Sequence, residues 1–372
     1  MAEIKKKTAS SRARTSNRKS SKRPTWVKWL VGVAAALVVL AAVAAIVIVP
    51  TATSKYHSKD KDNKDAMIFI RQGSTLEDVR DSLAKATDKE FADNVVKLLK
   101  YTGTDLSKRQ GAFIIKNDES AYSVARHLRS GAANEVKVTI NNLRTKEDLA
   151  ARLSKTLMRP KEEFLAALNN AEICQSVGMT TDNITGLFLA DTYQFLWDVE
   201  PAKLIKHMKR NSDNFWNSER KSKAEKLGLT PNEVVALAAI VEGEIMKNDE
   251  KGMVARLYMN RLKQNMKLQA DPTVKFALQK FDLIQITYDQ LAVKSPWNTY
   301  YVEGLPPGPI CMPEKSTIDA VLNAPEHNYI YMCAKDDLSG YHNFAETYAQ
   351  HEANAAKYHK ALREYKQKKN IK

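Results

Sequence analysis

The rhythm of hydrophobic positions changes along the 372-residue chain, and each rhythm predicts a different element. From Trp29 to Val49, 21 residues carry no charge and consist almost only of Ala, Val, Leu and Ile. As a helix this run covers roughly 30 Å, the hydrocarbon thickness of a bilayer. Trp26 and Trp29 stand at one end, where amphipathic rings favour the headgroup level. A buried core helix and a cleaved signal peptide are the alternatives. The apolar part of a signal peptide is roughly 7–15 residues, so the longer run predicts an uncleaved transmembrane helix over 29–49. Residues 50–64 lose the apolar pattern, alternate Lys with Asp, and read as a solvated linker.

Short strand and helix patterns then alternate. Met67–Ile70 predicts a strand, Gln72-Gly73 a turn, and Ser74 with Glu77 a capping box that opens a helix with Val79, Leu83 and Ala84 inside. Gly111–Ile115 predicts a second strand, followed by Ser120 as a cap and a helix facing inward through Val124, Ala125 and Leu128. Val136–Ile140 alternates as a third strand, and Thr145 starts a helix through Leu149 and Leu153. Such units suit small glycan-binding folds and ordinary α+β packing alike, and the pattern alone favours the latter. Residues 160–229 read as mostly helical, with a Lys/Arg-rich stretch from Ala202 to Lys226 that covers a core as a solvated face.

The next helix is different. Thr230-Pro231-Asn232-Glu233 combines a cap, a proline in the first turn and a capping-box glutamate. Eight apolar residues follow, Val234 to Val241, which predicts burial on most sides. Glu242-Gly243-Glu244 closes the helix. At about 100° per residue the two glutamates flank the apolar stripe on opposite sides, so one pocket does not receive both. Gly243 removes a side chain where a bulky ligand would approach. A carboxyl group at the edge of an apolar core resists ionisation and suits proton donation to a glycosidic oxygen. The competing reading places both glutamates at a solvated helix end, paired with Lys247 or Lys251.

Composition narrows the class. Hydrophobic residues make up 44%, and 13 Gly with 12 Pro exclude collagen-like or wholly disordered chains. The length suits two or three units. Cys174, Cys311 and Cys333 form no CxxC pair, which argues against a disulfide scaffold and against a structural metal. Of the net charge of +15, residues 1–28 carry +9, so the high pI reports a basic tail. Beside an apolar span that tail is better read as topogenic, and in contact with anionic lipid, than as a nucleic-acid arm. The N-terminus is then cytoplasmic and the remainder extracytoplasmic.

Several ordered motifs carry a resemblance. They are Gly186–Tyr193, Ala239–Glu244, Val254–Leu262, Met266–Val274, Ser295–Tyr300, Gly304–Ile310, and His342–Thr347 with His351. Together, over about 110–365, the chain closely resembles the endolytic murein transglycosylases, the MltG or YceG-like family. The resemblance implies cleavage of the β-1,4 bond between N-acetylmuramic acid and N-acetylglucosamine within peptidoglycan strands. The cut consumes no water, leaves a 1,6-anhydromuramyl end, and terminates nascent strand elongation. It places the catalytic glutamate at Glu242, which protonates the leaving O4 and then takes the proton of the muramyl C6 hydroxyl. Glu244, Asn260, Gln269, Asp271, Asn298, Thr299 and Tyr300 are the candidate substrate-binding residues. Asp271 could equally cap a helix, and Asn260 and Gln269 could equally satisfy internal bonds.

The expected architecture is α+β. It has a basic tail (1–28), a transmembrane helix (29–49), a linker (50–64), a LysM-like subdomain (65–135) and a larger mixed α/β catalytic domain (136–368). No metal or organic cofactor is implied. The implied partners are glycan strands, the membrane and peptidoglycan synthases, without nucleic acid. A non-catalytic peptidoglycan-binding protein and a true hydrolase are the rivals. The chain departs from the family pattern at Leu189-Ala190, at Gly243 and at Asn141–Arg144.

Overall fold

A computed structural model describes residues 25–58, 62 and 64–369. Most of the basic tail lies outside the described residues. The protein is mixed α+β and mostly helical, with three two-stranded sheets among the described residues. Two compact units divide the chain: one takes in residues up to 68, 73–108 and 115–131, the other 69–72, 109–114 and 132 onward.

In the first unit, α1 (Thr25–Val43) runs through one π turn (Ala44–Ile48) into α2 (Val49–Thr53). This continuous helix is long and apolar enough to cross a membrane, and none of its apolar window is buried. Leu37, Leu40 and Ile46 are exposed, so the core-helix reading falls, while a membrane anchor and a signal sequence both fit. The start of the expected linker is ordered. Ala121 N–H donates to Ser54 O at 2.7 Å, Tyr56 N–H donates to Glu119 O at 3.0 Å, and the Tyr56 ring is buried. Backbone hydrogen bonds hold this segment, which is why side-chain periodicity does not reveal it.

The chain continues through β1 (Ala66–Ile70), α3 (Leu76–Ala86), α4 (Lys89–Tyr101), β2 (Gly111–Ile115) and α5 (Ala121–Ser130). The cap of α3 is Thr75 with Asp78, one residue later than the Ser74–Glu77 pair. Both pairs have the capping-box spacing, and Asp78 supplies the same acceptor as a glutamate. Ser120 caps α5 as expected. Helix α4, which the pattern reading omitted, supplies Phe91, Val95 and Leu99 to the core of this unit.

From residue 132 onward the second unit contains β3 (Glu135–Ile140), α6 (Lys146–Thr156), α7 (Lys161–Leu168), α8 (Ala171–Ser176) and β4 (Asp191–Leu196). β3 pairs antiparallel with β4, Val138 opposite Tyr193. The third predicted strand thus finds its partner within a stretch that reads as helical. Val138, Ile140, Leu149, Phe164, Phe188 and Phe195 belong to one core.

Helices α9 (Pro201–Phe215) and α10 (Ser218–Lys226) lead to α11 (Pro231–Glu244). Thr230 and Glu233 form the expected capping box. Every residue of α11 from Val234 to Val241 is at most 2% exposed, because α12 (Lys251–Lys263), α13 (Asp271–Leu278) and α15 (Lys315–Leu322) pack around it. The short α14 (Tyr288–Leu291) precedes α15, and β5 (Tyr331–Ala334), β6 (His342–Ala345) and α16 (Tyr348–Lys368) complete the chain. Two buried arginines of α12 fasten the surrounding loops. Arg256 donates to the carbonyls of Ala324 and Pro325, and Arg261 to those of Leu268 and Ile330.

Candidate active site

The apolar run of α11 stops at Val241, and the next side chain leaves the core. Glu242 keeps 25% of its side chain accessible, on the wall of a cleft of about 140 Å³. Asn142, Arg144, Phe281, Ile310 and Cys311 line the same cleft. Arg144 also lines a neighbouring cavity of about 350 Å³ that contains Phe276 and Trp297. The two hollows therefore share Arg144, whose guanidinium lies 4.9 Å from the centroid of the Phe281 ring.

The Glu242 carboxylate does not sit in a purely apolar margin. Lys251, at the start of α12, is only 5% exposed and donates its ammonium to Oε2 at 3.1 Å. The same ammonium donates to Thr317 Oγ1 at 2.7 Å, and the Thr317 hydroxyl donates to Glu242 Oε2. A buried ammonium needs such partners to offset its lost hydration. Both contacts engage Oε2. Among the described residues Oε1 has no hydrogen-bond partner, which leaves it free for a ligand in the cleft. The expected alternative of a Lys251 pair is thus present, but as an internal triad joining α11, α12 and α15 rather than at a solvated helix end.

Gly243 is a packing position as well as part of the cleft lining. An added Cβ would lie 2.8 Å from the Pro272 Cβ, so the missing side chain lets α13 approach the end of α11. Pro272 and Gly243 then form part of the floor of the Glu242 cleft.

Glu244 turns away from that cleft, as the helical phase requires. Its Oε1 accepts from the Tyr258 hydroxyl at 3.0 Å. Burial pushes its carboxyl up to about 7, the nearby Asp271 charge adds to the rise, and the hydroxyl of Tyr258 opposes it. Tyr258 is itself raised well above the ordinary tyrosine range, mainly by burial and then by the Glu244 charge. Asp271 lies in the first turn of α13, but Ala270 is the N-cap residue and no side chain caps it. Instead the Asp271 carboxylate accepts from the Tyr300 hydroxyl at 2.7 Å, which corrects the capping alternative. Gln269 adopts a left-handed backbone (φ 52°), and its N–H donates to Thr299 O at 3.1 Å.

Three other expected contacts are turned inward. Asn260 donates its amide to the carbonyls of His327 and Tyr329. Asn298, with 0% exposure, donates to the carbonyls of Leu291 and Val293 and accepts from Tyr300 N–H. Thr299, also at 0%, shares a hydrogen bond with Thr273 and accepts from Ala270 N–H. The structure therefore brings Glu244, Asp271 and Tyr300 into one polar cluster beside α13, and gives Asn260, Asn298 and Thr299 internal partners. His342 pairs with Glu250 at 2.9 Å. Cys174, Cys311 and Cys333 are free thiols, and burial raises Cys311 to about 12. Thr317, Phe281 and Lys275 escaped the sequence reading. The one available signal for Thr317 was a hydroxyl on the face that carries Ile318, Val321 and Leu322 into the core.

The model of the YceG-like family matches residues 68–357, which contain the whole Glu242 cleft. The chain belongs to the YceG-like family. An endolytic murein transglycosylase of Bacillus subtilis (strain 168) is 26% identical over 320 residues, 80% of this chain and 86% of the relative. An endolytic murein transglycosylase of Streptococcus pneumoniae is 28% identical over 182 residues, 47% of this chain and 32% of that longer protein. Among solved structures, the 2.6 Å crystal structure of the yceG-like protein lmo1499 from Listeria monocytogenes superposes with a TM-score of 0.52 at 25% identity. That superposition covers 78% of this chain and 98% of the other. In this YceG-like chain the Glu-x-Glu pair is thus split between two environments, a cleft and an internal network.

Proposed function

We propose that this protein is an endolytic murein transglycosylase that cuts the β-1,4 bond between N-acetylmuramic acid and N-acetylglucosamine within peptidoglycan strands. The carrying observation is the Glu242 carboxylate, anchored through one oxygen by Lys251 and Thr317 and open to a cleft through the other. The naming of the relatives supports the reaction class.

In this reading Glu242 Oε1 protonates the leaving O4 as the glycosidic bond breaks. The Lys251 ammonium balances the charge left on the carboxylate. The same oxygen then accepts the proton of the muramyl C6 hydroxyl, whose oxygen bonds to C1 and closes the 1,6-anhydro ring. One carboxyl suffices because the nucleophile is part of the substrate, whereas ordinary glycosidases need a second carboxylate. Phe281 and Trp297 offer ring faces to pyranose rings in the two adjoining hollows. Asp271 and Tyr300 act from the neighbouring cluster, and Asn260, Gln269, Asn298 and Thr299 hold the loops that shape the groove. The helix Thr25–Thr53 serves as a single-pass anchor with a cytoplasmic N-terminus, residues 65–135 form a LysM-like glycan-binding part, and the activity ends the growth of nascent strands beside peptidoglycan synthases.

Glu242→Gln keeps the shape and the acceptor toward Lys251 but removes the transferable proton. Purified sacculi treated with wild type should yield anhydro-ended fragments, and the variant should yield none while keeping the circular dichroism of the wild type. Full activity of the variant would overturn the assignment, and fragments heavier by one water would replace it with hydrolysis.

A further inference from the structure

The first unit carries an apolar hollow that shares no lining residue with the Glu242 cleft. It has a volume of about 340 Å³ and is lined by Ile48, Ala52, Leu98, Tyr101 and Tyr122. Arg126 and Arg129 complete its wall. Helix α2, the last turn of the apolar helix, packs on both α4 and α5, so the hollow begins where the apolar span ends. Tyr101 is 63% exposed and Tyr122 57%, so both rings of the lining keep a solvent-facing side. Arg126 and Arg129 are exposed, and among the described residues neither guanidinium is in an ion pair.

We propose that this hollow is a docking site for an anionic phospholipid of the outer leaflet, its phosphate held by Arg126 and Arg129 and its glycerol and upper acyl chain laid against Tyr101, Tyr122 and Leu98. The inference rests on the anchor reading of the helix. If the span crosses the bilayer, Ile48 and Ala52 lie at its outer boundary, and residues lining the same hollow lie at that depth. Tyrosine is favoured at that boundary, where one end of the ring is dry and the other wet. Arginine there keeps its stem on apolar surface and its charge among headgroups. The five side chains come from α4 and α5, so the lipid would fix the tilt of the folded part on its anchor rather than merely decorate the helix.

The test uses the full chain in detergent micelles offered equal amounts of phosphatidylglycerol and phosphatidylcholine, with bound lipid counted by native mass spectrometry. Wild type should retain the anionic lipid at least tenfold over the zwitterionic one. Each basic residue at a charged surface is worth roughly fivefold in binding, so R126A/R129A should bring the ratio close to one, and R126K/R129K should restore most of it. Both variants should keep the circular dichroism and the thermal midpoint of the wild type, since both side chains are exposed. Equal uptake of the two lipids, unchanged selectivity in R126A/R129A, dimers without lipid, or equal retention of glycerol phosphate lacking acyl chains would each overturn the proposal. Release of the full chain from cell membranes by alkaline carbonate would overturn the anchor reading itself, and the lipid site with it. Retention without anionic preference overturns the lipid site alone.

Discussion

The Lys251 ammonium lies 3.1 Å from Glu242 Oε2, buried beneath the cleft while the carboxylate reaches into it. With the Thr317 hydroxyl it fixes one oxygen and leaves the other without a hydrogen-bond partner among the described residues. Replacing Thr317 by Val removes one hydroxyl from this triad and should cost about 1 kcal/mol of stability. Loss of the carboxylate's orientation should lower kcat by roughly 100-fold with little change in KM. Lys251→Met should lower kcat at least as far and destabilise by about 1–3 kcal/mol, below the usual cost of breaking a buried pair because Glu242 keeps access to water. Steady-state cleavage of defined glycan strands checks both, and a Thr317→Val enzyme with normal kcat would show that the triad has no orienting role.

Gly243→Ala should separate α11 from α13. The new methyl group would meet Pro272 at 2.8 Å, a contact that only backbone movement relieves. Overpacking of this kind costs about 1–3 kcal/mol. Because Gly243 adjoins Glu242, activity should fall further than stability. Thermal unfolding and strand cleavage, measured on the same preparation, decide the matter. A variant as stable and active as wild type would mean that α13 yields without disturbing the cleft.

The parts of this arrangement that depend on neighbours in sequence were legible. Thr230, Pro231 and Glu233 announce the start of α11, eight apolar residues announce its burial, and the helical phase separates Glu242 from Glu244. The parts that depend on distant chain were not. Thr317 stands 75 residues from Glu242 and meets it only because α15 packs on α11. Asn298 and Thr299 drew attention as polar residues in a loop, a signal shared by ligand contacts and by side chains that satisfy buried carbonyls. Sequence pattern cannot separate these two roles, since both require the same donors and acceptors. The strand β4 was hidden for a related reason: its pairing with β3 supplies what six residues of weak alternation do not.

Thr299→Val should unsettle the start of α13 from inside. Its hydroxyl is fully buried between Thr273 and the Ala270 N–H, and removing it leaves both without that partner. The expected cost is about 1–3 kcal/mol. Thr299→Ser keeps the hydroxyl and should recover most of it. Denaturant unfolding of the two variants distinguishes a hydrogen-bonding role from a packing one, because equal losses would assign the effect to the missing methyl contacts.

Glu244 gives the fold a pH dependence of predictable sign. Burial raises its carboxyl from 4.5 to about 7. Between these values the native state holds a proton that the unfolded chain has released. Stability from this group is therefore complete below about pH 4.5, falls as pH rises through 7, and is flat beyond. A shift of this size corresponds to roughly 3–4 kcal/mol across the window. Glu244→Gln keeps an acceptor for Tyr258 and removes the titration, so the difference in stability between wild type and variant should change in the variant's favour from pH 5 to pH 8. Denaturant midpoints at the two pH values measure it. Parallel profiles would show that Glu244 ionises as freely in the folded protein as in the unfolded chain, and that the polar cluster beside α13 does not exclude water.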